Sequence, residues 1–201
     1  VGAAVLAALL VAAGFTVRFA SDSLTHTDGV ISRWFEQHRM DPWDAITFVA
    51  SRMANTETAI AVAAVSIVAL RLWLKRWHES LVLAMALAGE VVSFLAVAMI
   101  VQRARPPVFR LDPAPPTSSF PSGHTAAAVT VYGFLAVVLW RYLANRYLAA
   151  IACAVLVVIP LAVGIARLYR GAHFLTDVIA GAVLGIVWLA FVLHTLMPRR
   201  H

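Results

Sequence analysis

Histidines and an aspartate stand at the ends of long apolar runs in the second half of this chain. His124 directly follows Ser122 and Gly123, and His173 and Asp177 lie further along. Because the chain is 62% hydrophobic and only 13% charged, ionisable side chains beside apolar segments are candidates for function. Their imidazole and carboxylate groups could supply a nucleophile, a proton donor and a group that orients them.

The residues around Ser122 predict the start of a helix and, with it, an anion site. Serine is favoured at the N-cap, and an apolar run follows it. Free N–H groups and the positive end of the helix dipole suit a phosphate, which Ser122 and Gly123 would bind through the hydroxyl and the backbone N–H groups. His124 would lie beside that phosphate in the first turn and act as a general acid. A plain N-cap with a tight turn, and an interfacial histidine, are the structural alternatives.

The spacing of His173 and Asp177 predicts the second half of the same site. If a helix starts near Gly171, these two residues are one turn apart and share a face. The Asp177 carboxylate could then accept a hydrogen bond from one imidazole nitrogen and leave the other nitrogen free as a nucleophile. The structural alternative gives His173 a packing role and Asp177 a capping role.

Three arginines near these clusters are candidate phosphate ligands. Arg103 and Arg105 end an earlier apolar run, and Arg167 precedes His173. The planar guanidinium group grips phosphate oxygens and stabilises the charge that develops in phosphoryl transfer. Contacts with lipid headgroups are the structural alternative.

Together these pieces resemble the signature of the type 2 phosphatidic acid phosphatase (PAP2) superfamily, which is K-x6-R-P, then P-S-G-H, then S-R-x5-H-x3-D. They fall in residues 98–106, 121–124 and 166–177, in the expected order and spacing. Two positions depart from the pattern: Ala98 stands where the family has a lysine, and Ala166 where it has a serine. The nine matching positions are Arg105, Pro106, Pro121, Ser122, Gly123, His124, Arg167, His173 and Asp177.

The resemblance implies an integral-membrane phosphatase that removes the terminal phosphate of a lipid phosphate or diphosphate without a metal or other cofactor. It implies that His173 attacks phosphorus to form a phosphohistidine, that His124 protonates the leaving group and that Asp177 orients His173. Polyprenyl diphosphate, phosphatidate and phosphatidylglycerol phosphate all remain as substrates. Membrane lipids are the other expected partners, and the sequence leaves the oligomeric state open.

The two departures leave the predicted nucleophile, acid and orienting carboxylate intact, so we expect the chain to be active. Ala98 removes a cation that the family places on the phosphate, and we expect Arg103, or else Arg170, to take over part of that role. Two other interpretations stay open. One is transfer of the phosphoryl group to a lipid-linked acceptor, and the other is a lipid-binding or transport protein with a degenerate site.

Other kinds of site have less support. His124, His173 and Asp177 could form a metal site of two histidines and a carboxylate, but neighbouring arginines disfavour a bound cation. The single cysteine, Cys153, excludes a Cys-based metal site within the chain. We attribute the net charge of +6 to membrane topology and phosphate binding, so no nucleic-acid partner is expected.

Hydropathy predicts an all-α fold, with residues 1–201 as a single domain built as a polytopic bundle of six membrane helices. We expect an interfacial helical segment in the mixed stretch 21–57, broken near Pro42, with a soluble loop as the alternative. The proline-rich loop 102–120 should be irregular. The predicted spans are 1–19, 58–74, 80–101, 122–140, 147–167 and 173–197.

Basic residues predict the orientation of these spans. They cluster after the second span, after the fourth span and in the tail 199–200, so that side should be cytoplasmic. Six spans place all three signature pieces on the opposite face, whereas five would not. We therefore expect a multi-pass protein of the cell (inner) membrane, with its active site on the extracytoplasmic face.

Glu90 is an acidic residue in the middle of a predicted span. A carboxylate at that depth costs about 2.5–3.5 kcal/mol on insertion scales. We expect Glu90 to pair with another residue inside the bundle or to be protonated. A role at the active site is a further interpretation.

Overall fold

A computed structural model describes residues 2–19, 22–113 and 117–197, and over these ranges its regular elements are all α-helices. Long apolar runs form helices because a helix satisfies its own backbone hydrogen bonds where no water is present. The predicted all-α fold is confirmed. The helices are α1 (Gly2–Phe19), α2 (Asp22–Gln37), α3 (Asp41–Arg52), α4 (Thr56–Leu74), α5 (His78–Val101), α6 (Gly123–Tyr142), α7 (Arg146–Tyr169) and α8 (Leu175–Leu196).

Within the described residues, five helices, α4 to α8, are long and apolar enough to cross a membrane. They coincide closely with the second to sixth predicted spans. Helix α1 covers the first predicted span and packs against α5 and α8. Its described apolar part, Ala8–Phe19, is shorter than the others, and Val1 lies outside the described residues. The chain is therefore a multi-pass membrane helix bundle.

The mixed stretch 21–57 folds mainly as the two helices α2 and α3, so the soluble-loop alternative is wrong. Residues 38–40 separate the two helices. Pro42 lies in the first turn of α3, where its missing N–H costs nothing because the first N–H groups of a helix have no partner within it. Both helices pack against α7. Large apolar side chains on and between them are exposed, as suits a membrane interface: Val30, Trp34, Met40, Trp43, Ile46, Phe48 and Val49.

Helix α6 contacts all four of α4, α5, α7 and α8, and glycines bring its first turn close to α8. A Cβ atom built on Gly181 would lie 2.3 Å from the carbonyl oxygen of Ser122. One on Gly185 would lie 2.8 Å from the carbonyl oxygen of Ala126. Side chains at these positions would separate the helices, so small residues here permit close helix packing.

The three signature pieces meet at one end of the bundle. The amide of Ser119 donates to the carbonyl oxygen of Arg103 at 2.9 Å, and the amide of Ser122 donates to that of Asp177 at 2.9 Å. Helices α5 and α7 end here, and α6 and α8 begin here. The predicted convergence of the pieces on one face of the bundle is confirmed.

Candidate active site

His173 lies between α7 and α8 with one ring nitrogen bound to the main chain. Its Nδ1 atom is 2.7 Å from the carbonyl oxygen of Ser119. A carbonyl oxygen can only accept, so Nδ1 carries the proton and donates it. The Nε2 atom is then unprotonated, and its lone pair accepts a long hydrogen bond from Nη1 of Arg105 at 3.4 Å. This is the tautomer that a histidine nucleophile needs.

Helix α8 does not start near Gly171, the start on which the spacing argument is conditional, but close to the predicted span start at residue 173. Gly171 has a φ angle of +71°, which is typical of the turn after a helix and not of a helix interior. Helix α8 begins at Leu175, with Phe174 as its N-cap. His173 therefore lies on a buried loop before the helix, and Asp177 lies in the first turn.

The buried carboxylate of Asp177 has partners on both oxygens. Arg103 donates to Oδ1, while the hydroxyl of Ser119 and the amide of Phe174 donate to Oδ2. Oδ2 is 3.8 Å from Nδ1 of His173, which is too long for a hydrogen bond but close enough for electrostatic attraction. The main-chain carbonyl of Ser119, and not the predicted carboxylate, is thus the closer acceptor for the imidazole proton.

The surroundings of His173 favour its neutral form. Burial lowers the pKa of His173 below its ordinary value. Asp177 acts in the opposite direction, and the positive charges of Arg167 and Arg105 lower the pKa further. Because a neutral imidazole is nucleophilic and an imidazolium is not, this environment keeps Nε2 available at neutral pH.

His124 lies in the first turn of α6 and borders the same cavity as His173, so the predicted helix start is confirmed. Ser122 is its N-cap: the hydroxyl accepts from the amide of Thr125 and is 2.9 Å from the Thr125 hydroxyl. Ser122 is fully buried and is not among the residues that border the cavity. The Ser122 hydroxyl therefore has the capping role of the structural alternative. Gly123, in contrast, does border the cavity.

Arg105 and Arg167 border this cavity with unpaired donors. Arg105 donates to the carbonyl oxygen of Ala172, and Arg167 to the hydroxyl of Ser51, each at 2.8 Å. The Nε atoms of both arginines are buried and have no hydrogen-bond partner within the described ranges. Buried unpaired donors are uncommon. The two arginines also bring positive charge to the cavity wall, where an anion would gain charge-assisted hydrogen bonds.

Arg103 does not border the cavity, and its expected role in place of the missing lysine stays a prediction. Its guanidinium group donates to Asp177 and, at 2.8 Å, to Asp28 of α2. The other expected substitute, Arg170, donates to both oxygens of Asp112 at 2.6 Å. Carboxylates inside the protein thus compensate both charges.

The two positions that depart from the signature are packed between helices. Ala98 on α5 is 4% exposed and Ala166 on α7 is 0% exposed. Neither borders the cavity. Among the described arginines and lysine, only Arg105 and Arg167 border it, so a bound phosphate would meet two guanidinium groups.

The cavity has a volume of about 420 Å³, with a polar end and an apolar end. Helices α4 and α5 supply most of the apolar wall. Ile60 and Val91 border the cavity and are 59% and 40% exposed, so part of this apolar wall is also accessible at the surface of the bundle. The polar end is formed by Arg105, Thr117, Ser118, His124, Arg167 and His173.

Three residues outside the predicted set help to hold the site together. Asp28 binds Arg103, Ser119 binds the imidazole of His173 through its carbonyl oxygen, and Asp112 binds Arg170. Burial raises the pKa of Asp112, but the hydrogen bonds and charge of Arg170 outweigh it and hold the pKa below its ordinary value. Nothing in the sequence marks these residues, because none stands at a defined position of the signature.

The metal-site interpretation has no geometric support in the described ranges. They contain no group of three or more His, Cys, Asp or Glu residues that could hold a metal ion. The carboxylate of Asp177 is occupied by Arg103, Ser119 and the Phe174 amide. It does not combine with the two histidines as a ligand set.

The family model of the PAP2 superfamily matches residues 77–201, which include all three signature pieces. The chain belongs to the PAP2 superfamily. A stretch of 73 residues is 40% identical to phosphatidylglycerophosphatase B of Bacillus subtilis (strain 168). That match spans 34% of this chain and 34% of the relative's length.

Two solved structures share the fold. The crystal structure of the first transmembrane PAP2 type phosphatidylglycerolphosphate phosphatase from Bacillus subtilis superposes with a TM-score of 0.83 at 22% identity, covering 94% of this chain and 92% of that one. The crystal structure of Aquifex aeolicus LpxE gives a TM-score of 0.64 at 23% identity, covering 81% and 92%. The helix bundle is therefore that of membrane PAP2 proteins, as the signature predicts.

Proposed function

We propose that this chain is an integral-membrane phosphatase that hydrolyses the terminal phosphate of a lipid phosphate or diphosphate. The observation that carries the proposal is the cavity that Arg105, Arg167 and His173 border together, with Nε2 of His173 unprotonated because Nδ1 donates to the main chain. An anion fits beside the two guanidinium groups, and the apolar wall from α4 and α5 suits a hydrocarbon tail. The names of the Bacillus subtilis relatives make phosphatidylglycerol phosphate the first substrate to test.

In the first chemical step, Nε2 of His173 attacks phosphorus and the bond from phosphorus to the leaving oxygen breaks. Arg105 and Arg167 hold the phosphate oxygens as charge develops, and the backbone at Gly123 adds the positive end of a helix dipole. His124 gives its proton to the leaving oxygen. The carboxylate of Asp177 stabilises the positive charge on the phosphorylated imidazole ring.

In the second step, water attacks the phosphohistidine and inorganic phosphate leaves. His124, now neutral, takes a proton from that water, so the acid of the first step is restored. His173 returns to its neutral form with Nδ1 still bound to the main chain. Every proton in this scheme moves between His124, the lipid product and water, and we propose that the enzyme works without a metal or other cofactor.

We further propose that residues 1–201 act as a single domain in the cell (inner) membrane, with the site on its extracytoplasmic face. Basic residues at the ends of α4 and α6 favour the cytoplasm for the opposite end of the bundle. The substrate would reach the cavity from the membrane between α4 and α5, so that its phosphate meets the polar end while its tail stays in lipid.

Release of inorganic phosphate by the purified protein in detergent tests this function. Phosphatidylglycerol phosphate, phosphatidate and a polyprenyl diphosphate would each be supplied with and without EDTA. We expect release that survives EDTA, falls to background in His173→Ala and falls by about 10²–10⁴-fold in His124→Ala, because a positioned proton donor contributes that factor. His194→Ala is the matched control, since His194 is exposed near the opposite end of α8.

Trapping the intermediate separates hydrolysis from its alternatives. A phosphoenzyme that is stable in base, labile in acid and absent from His173→Ala would support the phosphohistidine. No release from any of the three lipids by folded protein would overturn the hydrolase proposal. A lipid-linked acceptor would then test phosphoryl transfer, and lipid binding without turnover would support a degenerate site.

A further inference from the structure

Glu90 on α5 borders the apolar part of the cavity. It lies one helical turn, about 6 Å, deeper in the bundle than Phe94, whose ring packs against Gly123. Glu90 is 1% exposed, and both carboxyl oxygens are buried without a hydrogen-bond partner in the described part of the chain. Within the described residues, the expectation that Glu90 pairs inside the bundle is therefore wrong.

The packing of α5 against α8 keeps Glu90 on the side of α5 that borders the cavity. A Cβ atom on the adjacent Gly89 would lie 2.1 Å from the ring of Trp188 on α8. The indole N–H of Trp188 donates to the carbonyl oxygen of Ala86 at 2.7 Å. Because these contacts fix the rotation of α5 about its axis, Glu90 cannot turn to a partner elsewhere without losing them.

A buried carboxyl group without a partner is unfavourable, and within a membrane it marks a candidate functional site. The ionised form is the more costly one in apolar surroundings, so the site favours the neutral acid. A neutral carboxyl group can both donate and accept a hydrogen bond. The other α5 residues that border the cavity are apolar: Leu87, Val91, Phe94 and Leu95.

We propose that Glu90 binds a hydroxyl or ester carbonyl group of the lipid backbone and so selects glycerol-based lipid phosphates. The inference rests on the proposed function, in which the phosphate occupies the end of the cavity with Arg105 and Arg167. A glycerol backbone carries oxygen atoms a few bonds from its phosphate, where the chain enters the apolar part. A polyprenyl chain has no hydrogen-bonding group beyond its phosphates and would leave Glu90 unpaired.

The test compares lysophosphatidate with a plain alkyl phosphate of the same chain length, which lacks the glycerol. For the wild type we expect kcat/KM to favour lysophosphatidate by about 10–100-fold, because the analogue without the glycerol leaves a buried polar group unpaired. Glu90→Leu should reduce this ratio by about tenfold or more. Glu90→Gln should keep most of it, since an amide still donates and accepts. Val92→Leu, on the exposed face of the same helix, should leave the ratio unchanged.

A binding measurement in the His173→Ala background separates this proposal from the proposed function, because it needs no turnover. The shift in thermal unfolding caused by lysophosphatidate should shrink when Glu90→Leu is added, while the shift caused by the alkyl phosphate stays the same. Selective binding without phosphate release by the wild type would overturn only the phosphatase proposal. Equal effects of Glu90→Leu on both lipids, or no effect on either, would overturn the assignment of Glu90.

Discussion

The two ring nitrogens of His173 lie in different surroundings, and this difference gives the residue its chemistry. Nδ1 is bound to the carbonyl oxygen of Ser119, which cannot take up the proton. Nε2 faces Arg105 in the cavity. A main-chain acceptor fixes the tautomer whatever the charge of nearby groups, and the carboxylate of Asp177 is left to stabilise the ring when it becomes positive.

The pH dependence of kcat/KM should show the lowered pKa of His173. As the proposed nucleophile, His173 must be neutral, and burial lowers its pKa. The imidazole therefore stays neutral as the pH falls through about 6.5, the ordinary value for histidine. We expect the acidic limb of the profile to lie below that pH, because kcat/KM reports ionisations of the free enzyme.

The variant Asp177→Asn tests the direction in which Asp177 shifts the pKa of His173. Asp177 raises the pKa of His173, so its neutral replacement should move the acidic limb to still lower pH, besides reducing the rate. A wild-type limb at or above pH 6.5, or a limb that moves upward in Asp177→Asn, would contradict this account of His173.

At the scale of elements, the site is the meeting point of helix ends. The first turn of α6 carries Gly123 and His124, and the end of α7 carries Arg167. Helix α8 supplies Asp177 from its first turn, and the connection before it supplies His173. Because each element contributes one or two groups, the relative positions of α6 and α8 decide whether these groups face one cavity.

Replacing Gly181 by alanine should disturb that arrangement. The new Cβ atom would lie 2.3 Å from the backbone carbonyl oxygen of Ser122, which cannot move aside as a flexible side chain can. We expect Gly181→Ala to destabilise the protein by about 1–3 kcal/mol and to lower phosphate release. Thermal unfolding in detergent and the release assay would measure both effects.

Gly29→Ala is the matched control for this substitution. A Cβ atom on Gly29 of α2 would lie 3.4 Å from the end of the flexible side chain of Arg33. Alanine is also better than glycine inside a helix, so the unfolding temperature should stay the same or rise slightly. Equal stability of the two variants would show that the contact between Gly181 and Ser122 does not limit the packing of α6 on α8.

At the scale of the whole molecule, the two ends of the bundle differ in their chemistry. The site end holds the cavity with its unpaired guanidinium donors. At the other end, Arg76 donates to Glu79 and to the hydroxyl of Tyr142, which ties the turn after α4 to the end of α6. Exposed tryptophans flank that end, as expected for the boundary between membrane and water: Trp73, Trp77 and Trp140.

Cysteine labelling in intact cells tests which end faces the cytoplasm. Cys153 would first be replaced by alanine, and a single cysteine would then be placed at the exposed Thr117 or at the exposed Ala144. A membrane-impermeant maleimide should label Thr117→Cys directly, because the site is proposed to be extracytoplasmic. Ala144→Cys should react only after the membrane is made permeable, and the reverse pattern would place the site in the cytoplasm.

Sequence reasoning alone predicts where the long helices lie and which residues could act as nucleophile, acid and phosphate ligands. Apolar run lengths, the N-cap serine and the spacing of the signature are local properties, so they survive without knowledge of the fold. Local properties do not give the exact start of α8, and a helix start near Gly171 is wrong for that reason. A single positive φ angle at that residue places the turn, and no neighbouring residue type announces it.

The partner of each polar side chain depends on the fold. Arg103 looks like a phosphate ligand in the sequence, yet Asp28, 75 residues away, and Asp177 compensate its charge. The carbonyl oxygen that orients His173 belongs to the backbone, and every residue has such an oxygen. Glu90 borders the cavity because Gly89 fixes the rotation of α5. Contacts between distant elements set these partners, and hydropathy and spacing along one segment contain no information about them.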